Sequence, residues 1–289
     1  MALYTEQLQQ HLKLIESRLT DFLPNDTDIG EIMRYACEGG GKRIRPVLLL
    51  EWCRLCGGDP HKAVPFAAAI ECVHSYSLVH DDLPCMDNSP LRRGKPSAHA
   101  KYGETMALLA GDALLNRAFE IMLAAETVEP KAALRAASQL AHNAGVYGMI
   151  GGQVLDLASE AKRIDLDILK RLQEGKTAAL LVAACRMGAI LGGGTDEQID
   201  SAGRYGYYLG LAFQVVDDIL DVTATSEELG KPIGSDAENE KNTYVSLLGL
   251  KKAKALAASY TAQAQATLMS FSGGTDLCQL ADALLTRTH

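Results

Sequence analysis

Apolar residues recur at helical spacing along almost the whole chain, beginning with Leu8, Leu12, Ile15 and Leu19. Strand-type alternation is nearly absent, and this period confines the chain to an all-α fold. Pro46, Pro65 and Pro130 each stand where a helical run opens, the position at which a missing N–H costs least. The period predicts helices over 4–19, 28–38, 46–56, 62–82, 103–125, 130–146, 149–160, 165–191, 196–223, 242–270 and 276–287. Breaks fall at Gly57-Gly58-Asp59-Pro60, at 84–96, at Gly192-Gly193-Gly194 and at 225–242. None is a long Ser/Pro/Gly linker. Short connections without a shift in composition predict one large helical bundle over 1–289 rather than two tethered units. The stretches 103–115 and 177–191 are apolar nearly all round, which suits positions inside such a bundle.

A formal net charge of −8 speaks against a broad basic surface, so nucleic acid is not an expected partner. The most apolar stretch, Ala178 to Ile190, is interrupted by Arg186 and falls short of the roughly 18–20 residues of a membrane span, so no stable membrane insertion is expected. Glu6, His11, Lys13, Glu16 and Arg18 make the first helix charged and amphipathic, unlike a secretory signal. Seven cysteines are an odd and sparse set for a disulfide scaffold, and the expected location is the reduced cytoplasm. Cys53 and Cys56 form a C-x-x-C, but no second pair follows at zinc-site spacing, and they read as packing residues of a helix. An acidic chain should also repel phosphates. The motifs contradict that expectation.

Two acidic clusters carry the strongest chemical signal. Asp217, Asp218 and Asp221 lie in an apolar run (Phe213, Val215, Val216, Ile219, Leu220), with Asp217 and Asp221 at i and i+4, roughly 6 Å apart on one helix face. Two carboxylates so placed repel, and desolvation adds to the repulsion, so either a cation sits between them or the face is a solvated acidic stripe. The hydrophobic flanks favour the cation. In the other cluster, Asp81 and Asp82 end a long helical run at Pro84, and the chain then curls so that Asp87 returns toward Asp81. His74, Ser77 and Asp81 share one face of that helix. Oxygen ligands without His or Cys companions point to Mg²⁺, which completes its shell with water and substrate phosphate.

Basic residues are concentrated too. Gly39-Gly40-Gly41-Lys42-Arg43-Ile44-Arg45-Pro46 sets glycines against cations just ahead of a helix N-terminus, a geometry that favours phosphate although it lacks P-loop spacing. Arg92-Arg93-Gly94 follows the first acidic cluster within one loop. Each patch alone is more often a solvated basic turn; together with two acidic clusters they read as two phosphate sites, one bridged by metal and one bound directly.

These stretches fall in a recognisable order: GGKRIRP (40–46), ECVHSYSLVHDDLPCMD (71–87), LRRG (91–94), GDALL (111–115), GGQVLDL (151–157), KT (176–177), FQVVDDILD (213–221), GK (230–231) and DAENEKNTY (236–244). In this the chain resembles the trans-prenyl diphosphate synthases, and among them the bacterial farnesyl diphosphate synthases (geranyltranstransferases), from Gly40 to Leu250. The resemblance implies the isoprenoid synthase type of helical bundle around a central apolar cavity. It implies that Lys42, Arg45, His74 and Arg93 hold isopentenyl diphosphate, and that Arg92, Lys176, Lys231 and Lys241 hold the allylic diphosphate. It implies that Asp81, Asp82 and Asp87 with Asp217, Asp218 and Asp221 bind three Mg²⁺ against that diphosphate. Thr177 and Gln214 match groups whose oxygens face the developing allylic cation, Gln153 and Asp156 match supporting positions, and a homodimer is implied.

The implied reaction is ionisation of the allylic C–O bond, attack by the double bond of isopentenyl diphosphate, and proton loss to the departing diphosphate. No side-chain nucleophile is required, in keeping with the absence of a Ser/His/Asp or Cys/His arrangement. Tyr76 lies five residues before Asp81 and Ser77 four before, so an aromatic ring there floors the hydrophobic tunnel about 7.5 Å above the first motif. An aromatic at this place together with four residues between Asp82 and Asp87, where many relatives have two, resembles the bacterial farnesyl synthases and so implies a fifteen-carbon product, farnesyl diphosphate. Geranyl and geranylgeranyl diphosphate synthases are the nearest alternatives. A class I terpene cyclase and a catalytically silent regulatory subunit are more distant ones. Two departures stand out: Asn88-Ser89-Pro90 where relatives carry more acids, and Ala178 in place of the usual glycine after Lys176-Thr177, with Gly175 moved ahead of the pair.

Overall fold

In the computed structural model, which describes residues 3–160, 162–223 and 242–287, the chain is almost entirely helical. The helices are α1 (Glu6–Glu16), α2 (Asp28–Glu38), α3 (Ile44–Leu55), α4 (Pro60–Asp81), α5 (Ala98–Tyr102), α6 (Glu104–Leu123) and α7 (Pro130–Ala144). They continue as α8 (Met149–Ser159), α9 (Leu166–Gln173), α10 (Ala179–Leu191), α11 (Asp196–Thr223), α12 (Tyr244–Leu248), α13 (Leu250–Ala266) and α14 (Thr275–Thr286). A two-residue hairpin pairs Leu91 with Pro96 and Arg92 with Lys95, and it holds the basic loop that follows α4.

The architecture follows from which helices bury their whole circumference. α4 buries Phe66, Ile70, Val73 and Val79 along with Glu71 and Ser75, and it packs against α3, α6 and α10. α10 is enclosed in the same way, between α3, α7 and α11. α11 in turn leans on α13, where Leu211, Val215, Ile219, Tyr244 and Ala257 form a second apolar cluster beneath the Asp217 motif. The polar residues of the site therefore project from helices whose other faces are fixed in core.

Helix ends explain most differences from the sequence pattern. Pro65 does not open a helix; it sits inside α4, which starts earlier because Asp59 caps it, accepting from His61 N–H at 2.9 Å with Pro60 in the first turn. The short helix α5 stands ahead of Gly103 where the pattern predicts none, and the run expected over 242–270 is divided at Gly249 (φ 78°), whose left-handed backbone no helix interior allows. The run over 165–191 is interrupted by a π-helical turn at Glu174–Ala178. All seven cysteines are free thiols, with Cys53 buried in α3 and Cys56 at its end. Among the described residues, no helix is long and apolar enough to cross a membrane. The expected break at 225–242, together with Lys231 and Lys241, lies outside the described residues apart from Asn242.

Candidate active site

A cavity of about 870 Å³ opens between α4, α8, the π turn and α11. Lys42, Arg45, His74 and Arg93 all line it, as do Asp81, Lys176, Thr177 and Gln214. Residues spread over 170 positions of sequence thus meet at one wall, because α4 supplies His74, Tyr76, Ser77 and Asp81 from successive turns of one buried helix.

The cationic side begins in the loop after α2. Gly40 and Gly41 take φ of 80° and 123°, and Arg43 follows at 47°. Arg93 donates to Gly40 C=O, and a Cβ on Gly41 would lie 2.6 Å from the Arg93 guanidinium carbon, so only glycine admits that guanidinium. Tyr4 O–H donates to Lys42 C=O. Burial lowers the Arg45 pKa to about 10, with Glu71 opposing the shift. Burial, followed by the positive charges of Arg45, Arg93, Arg43 and Arg92, holds His74 well below the ordinary imidazole range, so its ring is neutral.

The first acidic cluster curls as its spacing predicts. Asp87 N–H donates to Asp81 C=O at 2.8 Å, and Asn88 N–H to Leu83 C=O at 3.1 Å, folding the tail of the motif back over the end of α4. Asp81 accepts from Gln153 Nε2 at 3.1 Å. Burial pushes the Asp81 carboxyl up to about 6; Lys176 pulls against this, while Asp87 and Asp82 add their repulsion. Asp82 is engaged twice by Arg92, through Nε at 3.1 Å and through Nη2, so this guanidinium is committed to the carboxylate here.

The second cluster has divided duties. Asp218 accepts from Tyr244 N–H at 2.7 Å and anchors the start of α12, and Asp221 is buried. Asp217 accepts from Gln214 Nε2 at 3.2 Å and from Arg287 Nη2 at 2.7 Å, so the cation that meets this face is a guanidinium. Gln214 Oε1 accepts from Thr177 O–H at 2.9 Å, linking the π turn to α11. The donor set fits Mg²⁺: hard carboxylate oxygens from two helices, with no His or Cys among them. Among the described residues, no group of three His, Cys, Asp or Glu side chains forms a closed metal cage. Mg²⁺ held by one or two carboxylates and substrate oxygens needs none.

Gly175, Lys176, Thr177 and Ala178 all lie in the π turn. A Cβ on Gly152 would lie 2.1 Å from the Lys176 amide nitrogen, and one on Gly175 would lie 2.8 Å from Gly152 Cα, so the two glycines let α8 and the turn touch backbone to backbone. That contact puts Lys176 Nζ 2.5 Å from Asp156 while Gln153, on the same helix, reaches Asp81. Tyr76 also lines the cavity, its ring edge-on to His80 at 5.7 Å, and its buried hydroxyl has no hydrogen-bond partner.

Arg43, Glu71, Gly152 and Arg287 escaped functional assignment from sequence. Their partners lie 28 to 70 residues away or across helix contacts, so no local spacing marks them.

Residues 26–269 match the family described as polyprenyl synthetase. The chain is 48% identical over 248 residues, 84% of this chain and 69% of the relative, to geranylgeranyl pyrophosphate synthase 3 of Arabidopsis thaliana, a chloroplastic protein. A solved FPP/GFPP synthase from Zymomonas mobilis superposes with a TM-score of 0.86 at 37% identity, covering 96% of this chain and 97% of that one. A geranyltransferase from Helicobacter pylori, complexed with magnesium and isoprenyl diphosphate, gives 0.81 at 35% identity, covering 99% and 98%. With the motifs, the helical fold and these likenesses in agreement, the chain belongs to the polyprenyl synthetase family and is a prenyltransferase of the trans-prenyl diphosphate synthase type.

Proposed function

We propose that the whole chain, 1–289, is one Mg²⁺-dependent domain that joins isopentenyl diphosphate to an allylic diphosphate. The observation that carries this reading is the convergence of Lys42, Arg45, His74 and Arg93 with Asp81, Lys176, Thr177 and Gln214 on one cavity. The first four grip the diphosphate of isopentenyl diphosphate. Arg92, Lys176, Lys231 and Lys241 grip that of the allylic substrate. Asp81, Asp82, Asp87, Asp217, Asp218 and Asp221 would hold Mg²⁺, three ions by the family resemblance, whose charge would make the allylic diphosphate a leaving group. The Thr177 and Gln214 oxygens face the carbon that becomes positive, and their mutual hydrogen bond keeps them aimed. Met149, Ile150, Val154, Leu157 and Phe213 exclude water from the cation.

The identity with geranylgeranyl synthases supports a twenty-carbon product over the fifteen carbons expected from sequence. A farnesyl product is the second reading, favoured by the buried Tyr76 ring in the cavity wall. Leu108, Leu109 and Leu123 on α6 leave apolar surface exposed, which supports a homodimer. The absence of a long apolar helix among the described residues is compatible with a soluble protein, cytoplasmic or, as in the plant relatives, plastidic. Incubation with geranyl diphosphate, with and without isopentenyl diphosphate, tests the reaction. Longer prenyl diphosphates only in the double incubation support it, whereas cyclic hydrocarbons from geranyl diphosphate alone contradict it and indicate a cyclase.

A further inference from the structure

Arg43 and Glu71 line the same cavity as Lys42, Arg45, His74 and Arg93, and they are bonded to each other. Arg43 Nη1 meets Glu71 Oε1 at 2.6 Å, and its Nη2 donates to Cys37 C=O at 2.6 Å, in the last turn of α2. Both side chains are buried, Arg43 at 6% and Glu71 at 2% residual exposure. One guanidinium therefore ties the end of α2 and the start of α3 to the middle of α4. Its own backbone sits at φ 47° and ψ 33°, a left-handed conformation that an arginine does not adopt without compensation.

We infer that the Arg43–Glu71 pair is the positioning element of the isopentenyl diphosphate site, setting the aim of Lys42 and Arg45 relative to His74. Lys42 precedes the left-handed residue and Arg45 follows it by two. Relaxation of residue 43 to an ordinary φ reverses the local chain direction and redirects both side chains. Glu71 lies one helical turn before His74, so the carboxylate that holds the loop and the ring that faces the substrate share one face of α4. Glu71 also places a fixed negative charge among Arg43, Arg45 and Arg93, which lets three guanidinium groups crowd around one cavity wall. Neither Arg43 nor Glu71 needs to touch the substrate for this.

The inference rests on the proposed assignment of the isopentenyl diphosphate site, and the test separates the two. KM for isopentenyl diphosphate and for geranyl diphosphate is measured in Arg43→Gln, Glu71→Gln, Arg43→Lys and the double variant Arg43→Met/Glu71→Met, with thermal unfolding of each. The double variant replaces the ion pair by apolar side chains of similar length, which restores packing without restoring the bridge. The expected result is at least a tenfold rise in KM for isopentenyl diphosphate in Arg43→Gln, Glu71→Gln and the double variant. KM for geranyl diphosphate stays within about threefold, and Arg43→Lys recovers part of the loss. A wild-type KM for isopentenyl diphosphate in a folded Arg43→Gln or double variant overturns the inference. An equal rise for both substrates, or failure of all four variants to fold, does so too, because either outcome reduces the pair to a stability element. Lys42→Ala serves as the control. If it also leaves KM for isopentenyl diphosphate unchanged, the substrate assignment itself fails; if it raises KM while the pair variants do not, only this inference fails.

Discussion

Arg287 Nη2 lies 2.7 Å from Asp217 Oδ1, joining the end of α14 to the acidic motif of α11 across 70 residues of sequence. The guanidinium also rests 4.0 Å above the Phe213 ring and donates to Phe213 C=O at 3.0 Å. It is near enough to Lys42 that its charge, after burial, lowers the Lys42 pKa. A fixed cation thus already occupies one oxygen of a carboxylate assigned to metal. Arg287→Gln is expected to tighten Mg²⁺ binding by about fivefold, close to 1 kcal/mol, for a pair whose carboxylate is partly exposed. Titration of the substrate-free protein by calorimetry checks this, and unchanged or weaker affinity contradicts it.

Asp81→Ala and Asp217→Ala are each expected to lower turnover by several orders of magnitude while leaving the helical circular dichroism unchanged. Steady-state kinetics at saturating Mg²⁺ provide the check. A loss below about tenfold, roughly 1.4 kcal/mol, contradicts a metal role for that carboxylate.

His74 gives a pH signature. Its folded pKa lies well below the ordinary 6.5, so the unfolded chain takes up a proton that the folded chain refuses. Its contribution to stability is complete above about pH 6.5 and is lost as pH falls below it, at up to about 1.4 kcal/mol per pH unit. Replacing the ring with Asn removes this loss. The Tm of the wild type should therefore fall more steeply than that of His74→Asn between pH 7.5 and 5.5, and parallel curves would show that His74 titrates normally.

Tyr76→Ala is expected to lengthen the main product by at least one five-carbon unit, because the ring it removes closes the cavity wall beside His80. Chromatography of the dephosphorylated products reads this directly. An unchanged distribution places the floor of the tunnel elsewhere.

Gly152→Ala forces a methyl group to within 2.1 Å of the Lys176 amide nitrogen, a backbone atom that cannot swing aside. A loss of about 1–3 kcal/mol is expected from denaturant unfolding, together with reduced turnover, since α8 carries both Gln153 and Asp156. Wild-type stability would mean that the π turn yields freely.

Sequence reading worked where local spacing carries the information. α2 begins and ends, and α11 begins, where the apolar period predicts, and the return of Asp87 to Asp81 follows from Pro84 and the length of the motif. Periodicity does not show α5, the position of Pro65 inside α4, the division at Gly249 or the π turn, where a short element, a cap or a single backbone angle outweighs it. The cavity-lining cations and Asp81 were legible through resemblance to a family. Arg43–Glu71, Arg287–Asp217 and the Gly152–Gly175 contact were not, because each joins elements whose adjacency only the fold creates.

The central claim is metal-dependent condensation in the cavity beside Asp81. Its most direct test is incubation of the purified protein with dimethylallyl and isopentenyl diphosphates, with Mg²⁺ or with chelator, followed by product analysis. The account predicts prenyl diphosphates lengthened by five-carbon units with Mg²⁺ and none with chelator. Equal product in both, or no condensation with Mg²⁺ present, would contradict it.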